Sequence, residues 1–214
     1  MWSTVTAEDR RIYKDRARLV CGVEGGMPLN MTLPAMCFTR AQLLSIPKHR
    51  VSVVTLGMCD ALMPALFSLN DNVRHVGGIE LINYSSGHPQ ACATAMFNGR
   101  DVQTSLVWGQ DIMALSTLVG TLTPTQWEDG TMVDVVAYAM DTSIIIPARA
   151  HWYRLLEADS RVCAVATAYH ASFDLNRALP SFQVIHSYRV NLEGGNCSRR
   201  MIILRRRLYP LNAL

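Results

Sequence analysis

The chain has 214 residues, of which 50% are hydrophobic and 17% charged. That is enough apolar content to fill a sizeable core and too little charge or low-complexity sequence for disorder to dominate. The formal net charge is +3, yet the five arginines between Arg199 and Arg207 supply +5, leaving −2 for everything else. The basicity is therefore local, a feature that steers a surface toward phosphates, anionic lipid or an acidic partner.

In chain order, Glu8 to Ala17 suits a short polar helix, and the breakers Gly25-Gly26-Met27-Pro28 and Leu33-Pro34 then mark an extended connection. Residues 1–45 are expected to form an arm that packs on a main domain spanning residues 46–214. From about residue 50, short runs rich in Val, Ile, Thr and Tyr alternate with Gly, Pro, Asn and Asp, as strands and turns require. The predicted strands are Arg50–Leu56, Ala65–Leu69, Gly78–Tyr84, Ala91–Asn98, Gln103–Trp108, Thr131–Ala139, Val162–His170, Phe182–Asn191 and Arg199–Arg206.

Two segments follow a helical period instead. Gln110–Val119 repeats Ile112, Leu115, Leu118 and Val119 at three- and four-residue spacing, and Pro147–Ala158 places Trp152, Leu155 and Leu156 on one face. In that second helix Arg154, Glu157 and the following Asp159 are left for water. Between Met132 and Met140 neither alternating face is strongly polar, so this strand is covered on both sides. Phe182–Asn191 alternates cleanly and has one solvated face. Gly194-Gly195-Asn196 then suits a hairpin turn into Arg199–Arg206. By count of strands, the expected fold is mainly β, an antiparallel sheet or sandwich with two or three short helices; α+β is the alternative.

The opening MWSTVTAEDRRIYKDR is polar, and no apolar run approaches the length of a membrane span, so neither secretion nor a transmembrane segment is expected. The six cysteines are irregularly spaced, with no pair at zinc or redox spacing, and are read as reduced. Met140-Asp141-Thr142-Ser143 has the form of an aspartic-protease motif, but a second copy to share the proton is missing, and it reads as a turn. No two of the six histidines stand at metal-pair spacing; His170 and His186, on adjacent predicted strands, suit a hydrogen-bonded structural pair. Neither a P-loop nor a Gly-x-Ser-x-Gly elbow is present, Gly77-Gly78 precedes a strand rather than a helix, and no metal or cofactor site is indicated. These absences together argue against an enzyme.

The remaining candidate is SRRMIILRRRLY, Ser198 to Tyr209. On a strand, each face has an apolar middle and basic ends. Either the arginines reach water past the sheet rim on their long stems, or Arg199, Arg200, Arg205, Arg206 and Arg207 contact phosphate or anionic headgroups. Lys48 and Arg50 would add to such a contact if the strand they open lies nearby.

Two stretches resemble viral families. GTMVDVVAYAMDTSIIIPARAHWYRLLEADSRVCAVATAYHASFDLNRALPSFQVIHSY, through Gly130, Thr131 and Trp152, resembles the C-terminal half of rhabdovirus matrix proteins. IPKHRVSVVTLGMCDALMPALFSLNDN with GGIELINYSSGHPQACATAMF is similar to the core of plant-virus thirty-kilodalton movement proteins and jelly-roll coat proteins. Both resemblances imply a non-enzymatic virion structural protein of matrix or coat type, present in host cytoplasm or nucleus before assembly. Its partners would be itself, viral nucleoprotein or RNA, and an anionic membrane surface, with no small-molecule substrate. The alternatives are a movement protein that binds single-stranded RNA and a cellular enzyme without a recognisable motif.

Overall fold

All six residues of Val51–Leu56 are buried, forming strand β1 in the computed structural model. A strand buried on both faces needs a covering layer above and below, the environment of a parallel sheet with crossover helices. The structure describes residues 50–58, 61–68, 70, 72–83, 90, 93, 94, 97–99, 101–139, 146–169, 174–191 and 198–207. After β1 come helix α1 (Leu62–Phe67), β2 (Val73–Glu80), β3 (Gln103–Trp108), a 3-10 turn (Ile112–Ala114) and β4 (Asp134–Ala139). Helix α2 (Ile146–Ala158), β5 (Val162–Tyr169), the short α3 (Leu175–Ala178), β6 (Phe182–Asn191) and β7 (Ser198–Arg206) complete the order.

The seven strands form one sheet in the order β3-β2-β1-β4-β5-β7-β6. β1 pairs in parallel with β2 and β4, and β2–β3 and β4–β5 are parallel too. β7 runs antiparallel to both β5 and β6. The expected antiparallel sheet or sandwich is therefore corrected to an α/β fold: an open, mostly parallel sheet, doubly wound from β1, with an antiparallel hairpin at one side. The β6–β7 hairpin itself is as expected.

Two apolar layers cover the sheet. On one face Val51, Val53, Val136, Tyr138, Ala164 and Ile203 meet Phe67 of α1, whose ring packs edge-on against Tyr138 with centroids 5.0 Å apart. On the other face Val54, Val135, Ala137, Val165 and Leu204 meet Trp152, Leu155 and Leu156 of α2. Trp152 and Leu156 are fully buried, and each such side chain contributes roughly 2–3 kcal/mol. Asp159, expected in water, instead pairs with the buried Arg161 at 2.6 Å, and Arg161 also donates to the Pro124 carbonyl at 2.6 Å.

Several element assignments change. Ala65–Leu69, predicted as a strand, falls largely in helix α1, where Pro64 sits in the first turn and so removes no intrahelical bond. Gly78–Tyr84 is displaced: β2 starts at Val73 and ends at Glu80. Within the predicted strand Ala91–Asn98, Ala93, Thr94 and Phe97 are helical, and Asn98 N–H donates to the Thr94 carbonyl at 3.0 Å. The predicted helix Gln110–Val119 is only a 3-10 turn at Ile112–Ala114, because Leu115 already has an extended backbone. Ile112, Leu115 and Leu118 are buried nonetheless, so their spacing reported burial rather than helix. The chain then crosses β2 so closely that a Cβ on Gly77 would overlap the Leu122 carbonyl. The predicted arm, the Glu8–Ala17 helix, the Asp141 turn and His170 lie outside the described residues.

A polar ladder crosses three strands inside the sheet. His75, 2% exposed, shares a hydrogen bond with Ser52 Oγ through Nδ1 at 2.8 Å and with Ser105 Oγ through Nε2 at 2.9 Å. A hydroxyl can serve each ring nitrogen of a neutral imidazole, and burial depresses the His75 pKa from 6.5 to about 4. Between those values the unfolded chain binds a proton that the folded chain does not, so stability falls as pH drops from about 6.5 toward about 4. Urea denaturation at pH 7 and pH 5 should show a loss of about 2 kcal/mol from this site. His75→Asn should remove that part of the pH dependence; an unchanged difference between the two pH values would show that the ladder does not set it.

Candidate active site at the carboxyl edge of the sheet

In an open doubly wound sheet, loops diverge to opposite faces where the strand order reverses, leaving a crevice outside the carboxyl ends of the strands. Here the reversal lies between β1, continued by β2 and β3 on one side, and β4, continued by β5 on the other. The residues that leave β1, β2 and β3 at their carboxyl ends therefore define the place to look.

β1 ends in Gly57, whose φ of 68° is open to glycine, and the Gly57 N–H donates to the Ile79 carbonyl at 2.9 Å. That bond ties the turn leaving β1 to the end of β2. The turn closes at Ala61, a buried residue with φ 62°, whose N–H donates to the Met58 carbonyl at 2.9 Å just before α1 starts. A left-handed alanine is strained where glycine would not be. Ala61→Gly is expected to stabilise the protein by about 1 kcal/mol; a lower midpoint in chemical denaturation would mean that the alanine methyl is worth more in packing than the strain costs.

β2 ends in Glu80, 23 residues after Gly57. Its backbone carbonyl accepts from Gln110 N–H at 3.2 Å, joining the ends of β2 and β3, and its Oε1 accepts from Ile82 N–H at 3.1 Å. Leu81 and Ile82 beside it are 63% and 54% exposed. β3 leaves through Gly109, φ 73°, where a Cβ would press on Asn83, and the Asp111 carboxylate then accepts from Met113 N–H at 2.9 Å. Met113 is exposed as well. One edge thus combines a carboxylate, a tight glycine turn and three exposed aliphatic side chains, which suits a ligand with a diol and a flat apolar ring. Among the described residues, no group of three or more His, Cys, Asp or Glu is placed to hold a metal.

The predicted arginine strip does not act as one strip, because β7 runs across the full sheet. Arg200 pairs in register with Tyr169 at the carboxyl edge, whereas Arg205 pairs with Ala164 toward the amino edge. Five residue steps separate them, roughly 17 Å. Arg199 stands opposite Val190 at the carboxyl edge. Arg206 donates to the carbonyls of Val162, Leu156 and Asp159 at 2.7, 2.9 and 2.9 Å, and its guanidinium lies 4.4 Å from the Phe182 ring centroid. It therefore closes the C-terminal end of α2 and the start of β5. Arg207 makes one longer bond, to the Phe182 carbonyl at 3.2 Å, and is exposed. Arg50 is paired with Asp129 at 2.7 Å at the amino edge, and Lys48 lies outside the described residues. Arg206→Ala is expected to cost about 2–3 kcal/mol in denaturant titrations, and Arg207→Ala less than about 1 kcal/mol; equal effects would refute this division of roles.

A groove of about 510 Å3 also opens at the amino edge, between Arg50, Arg74, Asp101, Gln103, Trp127 and Glu128. Its arginines are matched by Asp129 and Asp101, and hydrogen bonds from Thr131 hold the Asp129 carboxyl below its usual range. The groove is charge-balanced and lies at the wrong end of the strands for the crevice, so strand polarity, not cavity size, locates the site.

No protein-family model matches the sequence, and no curated protein matches it. Solved structures do match. Magnesium protoporphyrin IX methyltransferase from Synechocystis PCC 6803 with bound SAM aligns at a TM-score of 0.59 and 14% identity, covering 91% of each chain. The same enzyme with bound SAH gives 0.60 at 13% identity, covering 91% of this chain and 94% of that one. A Streptococcus pneumoniae protein described as a tRNA (m1A22) methyltransferase, in complex with S-adenosyl-L-methionine, gives 0.50 at 12%, covering 82% and 75%. The chain has the Rossmann-like α/β fold of these methyltransferases.

This overturns the resemblance to rhabdovirus matrix, movement and jelly-roll coat proteins, which rested on strand count and turn placement that a parallel α/β sheet also produces. With it fall the virion-protein and movement-protein readings, the expectation of a non-enzyme, and the expectation of partners without a small-molecule ligand, since the matching structures are methyltransferases with SAM or SAH bound. The sequence reading also missed Gly57, Glu80 and Asp111. The available signal was a buried run ending in glycine, followed some twenty residues later by an apolar run ending in an acid. It was obscured because Gly57-Met58-Cys59-Asp60-Ala61 holds one glycine where such turns carry several.

Proposed function

We propose that this protein is a SAM-dependent methyltransferase whose cofactor lies across the carboxyl ends of β1, β2 and β3. The observation that carries this reading is Glu80, an acid ending β2 beside the switch point and followed directly by the exposed Leu81 and Ile82. A carboxylate at this position accepts hydrogen bonds from ribose hydroxyls, and the adjoining aliphatic side chains offer an apolar bed for an adenine ring. Gly57 lets the backbone of the first turn approach the ligand without a Cβ in the way. Asp111 and Met113, on the turn tied to Glu80 through Gln110, wall the same side. The bound cofactor would supply an electrophilic methyl group on a sulfonium sulfur. The chain's own contribution is to bind and orient: the carboxyl edge of the sheet holds the cofactor and so fixes where its methyl group is offered.

Isothermal titration with SAH and with NAD tests this directly, because both ligands carry an adenosine and doubly wound sheets hold either. SAH is expected to bind and NAD not to. Glu80→Ala should weaken SAH binding roughly tenfold or more, as loss of hydrogen bonds to a charged group does, while leaving the melting temperature of the free protein nearly unchanged. Absence of SAH binding in the native chain, or an unchanged affinity in the variant, would overturn the reading.

A further inference from the structure

The turn that carries Asp111 and Met113 is too short to hold itself in place. Its helical part is Ile112–Ala114, closed by Ala114 N–H on the Asp111 carbonyl and Leu115 N–H on the Ile112 carbonyl, both at 3.0 Å. A 3-10 segment of this length gains little from its own hydrogen bonds, so its position depends on what it is tied to. Upstream, the tie is Gln110 N–H on the Glu80 carbonyl. Beneath the turn, Ile112 and Leu115 bury their side chains in the apolar layer shared with Ala148, Trp152 and Leu155 of α2. Apolar contact is non-directional, so it presses the turn onto the helix without fixing its orientation there.

Downstream, the tie is directional. His151, half-buried in the second turn of α2, lies with Nε2 2.7 Å from the carbonyl of the buried Leu115. A carbonyl can only accept, so Nε2 carries the proton and donates. At the other ring nitrogen, Arg154 Nη2 stands 3.1 Å from Nδ1. A guanidinium can only donate, so Nδ1 accepts, and the imidazole is the neutral Nε2–H tautomer. Arg154, three residues on and exposed, thus selects the tautomer that holds Leu115. The bond joins segments 36 residues apart in the chain. Because the turn leaves β3 while α2 is the crossover from β4 to β5, it links the two sides of the switch point.

We infer that His151 is a positioning residue for the cofactor: through the Leu115 carbonyl it holds the turn on which Asp111 and Met113 wall the adenosine half, and Arg154 keeps its ring in the donating tautomer. The inference rests on the proposed methyltransferase reading and adds a residue that acts through the turn rather than on the ligand. With the bond made, the wall is in place before the cofactor arrives. With the bond lost, the cofactor must order the turn as it binds, and that ordering cost is taken from its affinity.

The test is isothermal titration of the full chain and its variants with SAH and with adenosine, together with amide hydrogen exchange across residues 110–118 of the free protein. His151→Phe keeps the bulk of the ring and loses the donor. It is expected to speed exchange in that segment and to weaken SAH and adenosine by the same factor, roughly three- to tenfold. His151→Gln, which retains an N–H of similar reach, should restore affinity to within about twofold of native. Arg154→Ala, a change at an exposed position, should fall between the two. A drop in melting temperature with native SAH affinity in every variant would overturn the inference, because the bond would then serve the fold alone. Faster exchange in 110–118 with native affinity would overturn it too, since the turn would be held by His151 without meeting the cofactor. So would a loss in His151→Phe that His151→Gln does not restore. If the native chain binds neither ligand, the methyltransferase reading fails and takes the inference with it, whereas native binding with insensitive variants sinks the inference alone.

Discussion

Burial of the central strands on both faces is the constraint from which the rest follows. β1 exposes no residue, and β4 is buried from Val135 to Ala139. Strands of this kind cannot lie at a surface, so the connections between them must carry cover. Winding outward from β1 through β2 to β3 and then back to β4 on the other side puts α1 on one face and α2 on the other. Right-handed crossovers leave no other arrangement for parallel strands in this order. Winding of this kind leaves a crevice outside the carboxyl ends of the strands at the switch point, whatever residues line it.

The two edges of the sheet are then used differently. At the amino edge, Arg161 and Arg206 bind carbonyls that helix ends and loops leave open, Pro124 in one case and Leu156, Asp159 and Val162 in the other. Arg50 and Arg74 meet carboxylates there. These four arginines are met within the chain and fasten elements together. At the carboxyl edge, exposed aliphatics, a glycine turn and an acid sit together. A stable closed edge opposite an open one is what allows the open one to be shaped by chemistry rather than by folding.

Strand positions were largely legible in the sequence. Gln103–Trp108 and Phe182–Asn191 are strands as expected and β6 pairs with β7, though a register shift between Val184 and His186 breaks the expected alternation and leaves Val184 49% exposed; Trp152, Leu155 and Leu156 are buried in α2. Strand direction was not legible, because a run of Val and Ala reads the same in parallel and antiparallel neighbours. The clue was present at Met132 to Met140, where neither face is polar: two-sided cover is the mark of a parallel sheet. Reading Ala65–Leu69 and Ala91–Asn98 as strands removed the crossover elements from view, and with them the α/β class. Short apolar segments are ambiguous between helix and strand by periodicity alone, so the error lay where the signal is weakest.

The site was illegible for a different reason. A glycine-rich fingerprint is recognised by its glycines, yet the physical demand it expresses is for backbone angles and close approach, and a chain can meet that demand without the letters. Ala61 does so, taking a left-handed φ of 62° at the mouth of α1 while fully buried. Strain of that kind persists only where surrounding contacts over-determine the conformation, and here the Gly57 bond to β2, the Met58 carbonyl and the packing of α1 supply them. A sequence motif is silent on such a turn while the fold remains recognisable, which is why topology rather than sequence pattern points to the candidate site. The same logic divides the arginine run: its letters form one cluster, but the strand that carries them runs from one edge of the sheet to the other, so chain neighbours lie at opposite edges.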